Sequence, residues 1–105
     1  MIKVYIIPKN KKQSEEIIEF LLHGKHILTA MVIENMVLSK INGKKQTITS
    51  KKNAITGIIR SLHFNSLNEK LKEMYQEHMP ILYSIPIVHM DPDQADAIIE
   101  YTTSF

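Results

Sequence analysis

A chain of 105 residues, 44% apolar and 23% charged, has the size of one domain with one core and the balance of a folded protein rather than a disordered one. The absence of cysteine excludes disulfides, thiolate metal sites and a cysteine nucleophile, and no apolar run approaches the roughly 18 residues of a membrane span. The net charge of +2 hides a polarity: residues 1–60 hold ten lysines and Arg60 against four glutamates, a balance of +7, whereas residues 61–105 balance at −5.

Ile2–Ile7 is a β-branched and aromatic run closed by Pro8, the profile of a buried strand. Its apolar part is too short, and lacks the small-residue cleavage site, for a signal peptide. Lys9–Gln13 reads as a polar loop, after which Ser14 is expected to cap a helix with Glu15 and Glu16 in its first turn. Ile17, Ile18, Leu21 and Leu22 form its apolar face, and Gly24 supplies its stop. Residues 27–41 read as extended, with a kink near Glu34-Asn35, and Asn42-Gly43 predicts a two-residue type I′ turn. Residues 44–53 return as a polar, basic arm that residues 54–62 complete as an apolar strand.

Ser66 and Glu69 have the spacing of a capping box, which starts a second helix near Asn65-Ser66. Leu67, Leu71, Met74, Tyr75 and His78 follow its periodicity until Pro80 forbids more. Residues 81–88 read as a fourth strand, in which Pro86 marks an edge, a bulge or the strand end. Asp91 caps a last helix with Pro92 at its first position and Ala95, Ala97, Ile98, Ile99 and Tyr101 on its apolar side.

The order β-α-β-β-α-β-α, with right-handed crossovers, packs most economically as one α+β domain over residues 1–105. This is a ferredoxin-like βαββαβ sandwich with a four-stranded antiparallel sheet, both main helices on one face, and a short C-terminal helix. The apolar residues on the other face then need cover, which a symmetric homo-oligomer supplies.

The chemistry is sparse. Gly24, Gly43 and Gly57 are scattered and form no phosphate loop, and no Ser-His-Asp order or zinc signature is present, so a non-catalytic role is the stronger expectation. His23 and His26 lie about one turn apart at a helix end, and His89 sits beside Met90 and Asp91. These are the candidate ligands for Cu²⁺ or another divalent cation, although surface histidines are the weightier reading of such a pair. The six methionines follow no regular spacing and read as core filling. The basic arm is the best ligand candidate: Lys44, Lys45, Thr47, Thr49, Lys51 and Lys52 offer ammonium groups and hydroxyls to an anion. Aromatic residues are not interleaved with these lysines as a stacking surface requires, so nucleic acid is not the expected partner.

Leu21-Leu22-His23-Gly24-Lys25-His26-Ile27-Leu28-Thr29-Ala30-Met31, the tip Asn42-Gly43-Lys44, and Ile85-Pro86-Ile87-Val88 followed by Asp91 together resemble the CutA-type divalent-cation-tolerance family, a branch of the PII-like group. The resemblance is distant and covers nearly the whole length. It implies a ferredoxin-like protomer in a trimer, with ligands or partners met at subunit clefts. Thr29 stands where that family has the second-strand cysteine implicated in copper binding, and Ile41 where it has a hairpin tryptophan. Its His-Pro-Tyr-x-x-Pro segment is reduced to Tyr75 and Pro80. The expectation is a cytoplasmic, trimeric, CutA/PII-like protein that binds a small ligand, a divalent cation or a signalling partner at intersubunit clefts. The alternatives are an interaction module docking an anionic macromolecule on hairpin 42–53, and a dimeric ferredoxin-like domain that binds a small molecule.

Overall fold

The computed structural model describes all 105 residues. Four strands, β1 (Ile2–Ile7), β2 (Met31–Ile41), β3 (Thr47–Ile59) and β4 (Ile81–Pro86), alternate with helices α1 (Lys11–His23) and α2 (Phe64–Tyr75), and α3 (Pro92–Tyr101) closes the order. The strands form one sheet in the order β2-β3-β1-β4, and every neighbouring pair is antiparallel. This is the expected α+β sandwich. Val4 and Ile6 of β1 and Ile55 and Ile59 of β3 bury one sheet face against Ile17 and Leu21 of α1 and Leu67 and Leu71 of α2, with Ile27 completing the core. The two-residue period of a strand sends Lys3 and Tyr5 to the opposite face. Tyr5 stacks there on Tyr83 of β4, with ring centroids 5.1 Å apart.

Several local signals act differently from their sequence reading. The first helix begins at Lys11, and its cap is Asn10, not Ser14: the Asn10 side chain accepts from Gln13 N at 2.8 Å. Gln13 Oε1 accepts from Lys9 N in return, and Gln13 Nε2 donates to His78 O, tying the helix start to the loop before β4. Glu15 and Glu16 therefore lie beyond the first turn. At the other end Gly24 has an ordinary φ of −77°, and Lys25 carries the left-handed value of 55°. Gly24 lacks a side chain for another reason: a Cβ there would lie 2.4 Å from the His26 ring and 2.9 Å from Phe20 O.

The second helix begins at Phe64 after a 3₁₀ turn over Ser61–His63, which also takes Leu62 out of β3. Ser66 and Glu69 thus lie inside the helix and form no capping box, and no side chain caps this end. Burial of Leu67 and Leu71 sets the helix instead. It stops at Tyr75, before the reach of Pro80, where Gln76 turns to φ 49°. Asp91 does cap α3, accepting from Gln94 N at 3.1 Å with Pro92 at the first position. Pro86 is the last residue of edge strand β4, opposite Ile2, so its missing N–H interrupts no ladder.

The second strand is shorter at its start than expected: the chain becomes a strand only at Met31. The kink at Glu34-Asn35 is a β-bulge, marked by a register shift between Ile33 and Met36 and by φ 58° at Asn35. Beyond it β2 and β3 extend as a hairpin that stretches the molecule to 50 × 28 × 21 Å. Asn10→Ala removes a cap and is expected to cost about 1 kcal/mol in urea unfolding. Ser66→Ala should change stability by less than about 0.5 kcal/mol, and a reversal of that ranking would restore the sequence-based helix boundaries.

Candidate functional site

The hairpin turn forms where Asn42-Gly43 places it, but by different geometry. Asn42 N donates to Gln46 O at 2.9 Å, Lys45 N to Asn42 O at 3.0 Å, and Asn42 Oδ1 accepts from both Lys44 N and Gln46 N at 2.9 Å. The left-handed residue is Lys45, at φ 58°, and no glycine has a positive φ. The turn is therefore a three-residue loop rather than a type I′ pair. It holds Lys44 and Lys45 at the exposed tip.

The register separates the remaining members of the basic arm. Thr47, Thr49 and Lys51 pair with Ile41, Ser39 and Val37 and share their face, whereas Lys52, opposite Met36, lies on the other. Thr49 Oγ1 is 3.1 Å from Ser39 Oγ. At about 3.3 Å per residue, the tip lysines stand roughly twenty ångström from Lys51. The arm is thus not one binding site. Its base, Lys51 and Lys52, instead meets Lys9, Asn10, Lys11 and Ser14 at the start of α1, around a cleft of about 270 Å³. By sequence Lys9, Asn10 and Lys11 read as loop, and only the run Lys9-Asn10-Lys11-Lys12 hints at their charge.

A second cleft, of about 370 Å³, opens where α3 crosses the exposed sheet face. Lys3, Met31 and Ile58 line it from the sheet, and Gln94, Ala97 and Ile98 from α3. Its walls are mainly apolar. The segment after α3 returns to the end of α1, where Thr103 N donates to Lys25 O and Thr103 Oγ1 to Gly24 O.

The three candidate metal ligands are used apart from one another. His23 Nε2 lies 2.8 Å from Glu19 Oε2 on the surface of α1. The His26 ring stacks on Phe105 at 4.3 Å and tilts against Phe20 at 4.9 Å, and its Nδ1 lies 3.3 Å from Thr103 O. His89 is exposed in the loop before α3. No three His, Cys, Asp or Glu side chains gather in a metal-binding group. His63 packs edge-on to Phe105. Burial, then Arg60 and His26 nearby, hold its pKa below the usual 6.5. Because the unfolded chain binds that proton more readily, this contribution to stability is complete above pH 6.5 and is lost as pH falls below it.

No protein-family model matches the chain, and no curated protein matches it by sequence. Solved structures do match its shape. The CutA protein of Pyrococcus horikoshii superposes at a TM-score of 0.83 with 21% identity, over 98% of this chain and 100% of that one. The chain has the CutA fold. A divalent cation tolerance protein from Thermus thermophilus matches at 0.81 and 14% identity, over 98% and 100% of the two chains. CutA from Archaeoglobus fulgidus, described as a periplasmic divalent cation tolerance protein, matches at 0.80 and 20% identity, over 96% and 98%. The CutA-type resemblance read from the sequence is thereby supported at the level of architecture. No helix of this chain is long and apolar enough to cross a membrane.

The packing of His26 and the exposure of His23 predict unequal effects. His26→Ala should lower the unfolding free energy by about 1 kcal/mol through lost aromatic contact, whereas His23→Ala should change it by less than about 0.5 kcal/mol. Equal effects in thermal or urea unfolding would contradict the packed role of His26.

Proposed function

We propose that this CutA-fold chain acts as a non-catalytic homotrimer that binds a small ligand, a divalent cation or a signalling partner in clefts between its subunits. The observation that carries the reading is the hairpin beyond the bulge, which is apolar on both faces. Val37 and Ile41, 62% and 71% exposed, project from one side, and Ile48, 41% exposed, from the other. No helix of the same chain covers this segment. Burying a Val or Ile side chain contributes about 1.5–3 kcal/mol, so a neighbouring copy is the natural cover. Ile81, Tyr83 and Ile85 continue the exposed apolar surface along edge strand β4. Three-fold assembly is what the CutA resemblance implies.

The separation of His23, His26 and His89 supports placing any cation between subunits, where donors from two chains can meet. Thr29 in place of the family's cysteine makes a thiolate copper site unsuitable as the model for this chain. The compartment we propose is the cytoplasm.

Light scattering should give a native mass of about three times the 12.1 kDa protomer, unchanged by added Cu²⁺ or Zn²⁺. Val37→Lys with Ile41→Lys should reduce it to a single protomer with an unaltered far-UV spectrum. A monomeric or dimeric parent protein would end the trimer reading.

A further inference from the structure

The cleft between the start of α1 and the base of the hairpin is built from donors and carries no acid. Lys9, Lys11, Lys51 and Lys52 line it, and none pairs with a carboxylate, since the chain's only lysine–carboxylate bridge is Lys70–Glu73. Lys52 Nζ donates to Lys9 O at 2.8 Å, holding the hairpin against the approach to α1. Asn10 and Asn53, also in the lining, commit their side-chain oxygens to Gln13 N and Asn35 N. Their amide NH₂ groups remain available as donors. The first N–H groups of the 13-residue helix α1 have no intrahelical acceptor and stand at the positive end of its dipole.

Ser14 adds a hydroxyl to these donors. It is only 6% exposed and lines the cleft, yet its hydroxyl makes no hydrogen bond within the chain. No side-chain nitrogen or oxygen is both sealed from solvent and unbonded, so the Ser14 Oγ keeps some opening, and Ser14 lines this cleft. A serine inside a helix can turn to solvent or bond the carbonyl four residues back, and Ser14 does not make the second bond. This one is left ready for a ligand.

We infer that this cleft binds a phosphate group, free or carried as a small monoester, within a single protomer. Four uncompensated ammonium groups repel a cation, and a tetrahedral dianion offers enough acceptor oxygens for several charge-assisted donors at once. The volume of about 270 Å³ falls just below the range of about 300–1,000 Å³ typical of sites for larger ligands, which suits a small anion. All the residues that line the site belong to one protomer.

The test is a titration of the full chain with inorganic phosphate, and separately with glycerol 3-phosphate, at ionic strength held constant with chloride, following the backbone amides of Lys11, Lys12 and Ser14 by NMR. Saturable shifts at those amides are expected. Lys11→Gln with Lys51→Gln, both exposed positions, should weaken binding by at least about tenfold, the scale of about 1.4 kcal/mol. Lys44→Gln with Lys45→Gln should leave it within about twofold. The tighter of the two ligands distinguishes a site for free phosphate from one for an ester. Non-saturating shifts, or equal weakening by the two lysine pairs, would show only a diffuse basic surface and overturn the site. Native mass measured on the same variants keeps this result distinct from the fate of the trimer.

Discussion

Val4, Ile6, Ile55 and Ile59 on the sheet close against Ile17, Leu21, Leu67 and Leu71 on the two main helices, and the rest of the chain is arranged around that contact. Eight apolar side chains from four elements meet there, so each helix is held by what it buries more than by its own ends. The second helix shows this most plainly. It starts at Phe64 with no side-chain cap, because the seating of Leu67 and Leu71 outweighs a cap contribution of about 1 kcal/mol.

A strand that buries every second residue must present the others to the opposite side. Here that side is only partly covered, by α3 over one end. The contrast along β3 follows: Ala54–Gly57 are buried under the body of the domain, whereas Thr47–Lys51 are exposed in the hairpin. The bulge at Asn35 divides these two regimes and fits an unpaired residue into the ladder where the hairpin leaves the core. The same projection carries the tip lysines far from the other basic groups while bringing Lys51 and Lys52 back to the start of α1. Charge that is contiguous in sequence is thereby divided between a solvent-facing tip and a lined cleft.

The CutA likeness is one of architecture at 14–21% identity, and the chain's own residues decide how far chemistry follows. Thr29 offers a hydroxyl and no thiolate, and His26 is engaged by Phe20 and Phe105. The long hairpin and the edge strand β4 of this chain carry exposed apolar side chains, which suit assembly. The proposed intersubunit function rests on this surface, whereas the lysine cleft is lined by residues of one chain.

Hydrophobic period and proline placement determined much of this protein. Ile2–Ile7 matched a strand to its last residue, Asp91-Pro92 began a helix, and the order of elements led to the right sheet, because each signal rests on interactions within a few residues. Helix ends were less legible. Asn10 and Gln13 have the spacing of a reciprocal cap, but the polar run Lys9–Gln13 lacks apolar periodicity and looks like a loop until Gln13 is seen bonded to His78. Ser66 and Glu69 have the right spacing and are overruled by packing. The basic arm was visible as composition, whereas its division was not, since strand register and the approach of α1 depend on residues as distant in sequence as Lys9 and Lys52. Local chemistry chose the elements; only the tertiary contacts decided which lysines share a cleft, which histidines are packed away, and which apolar faces stay exposed.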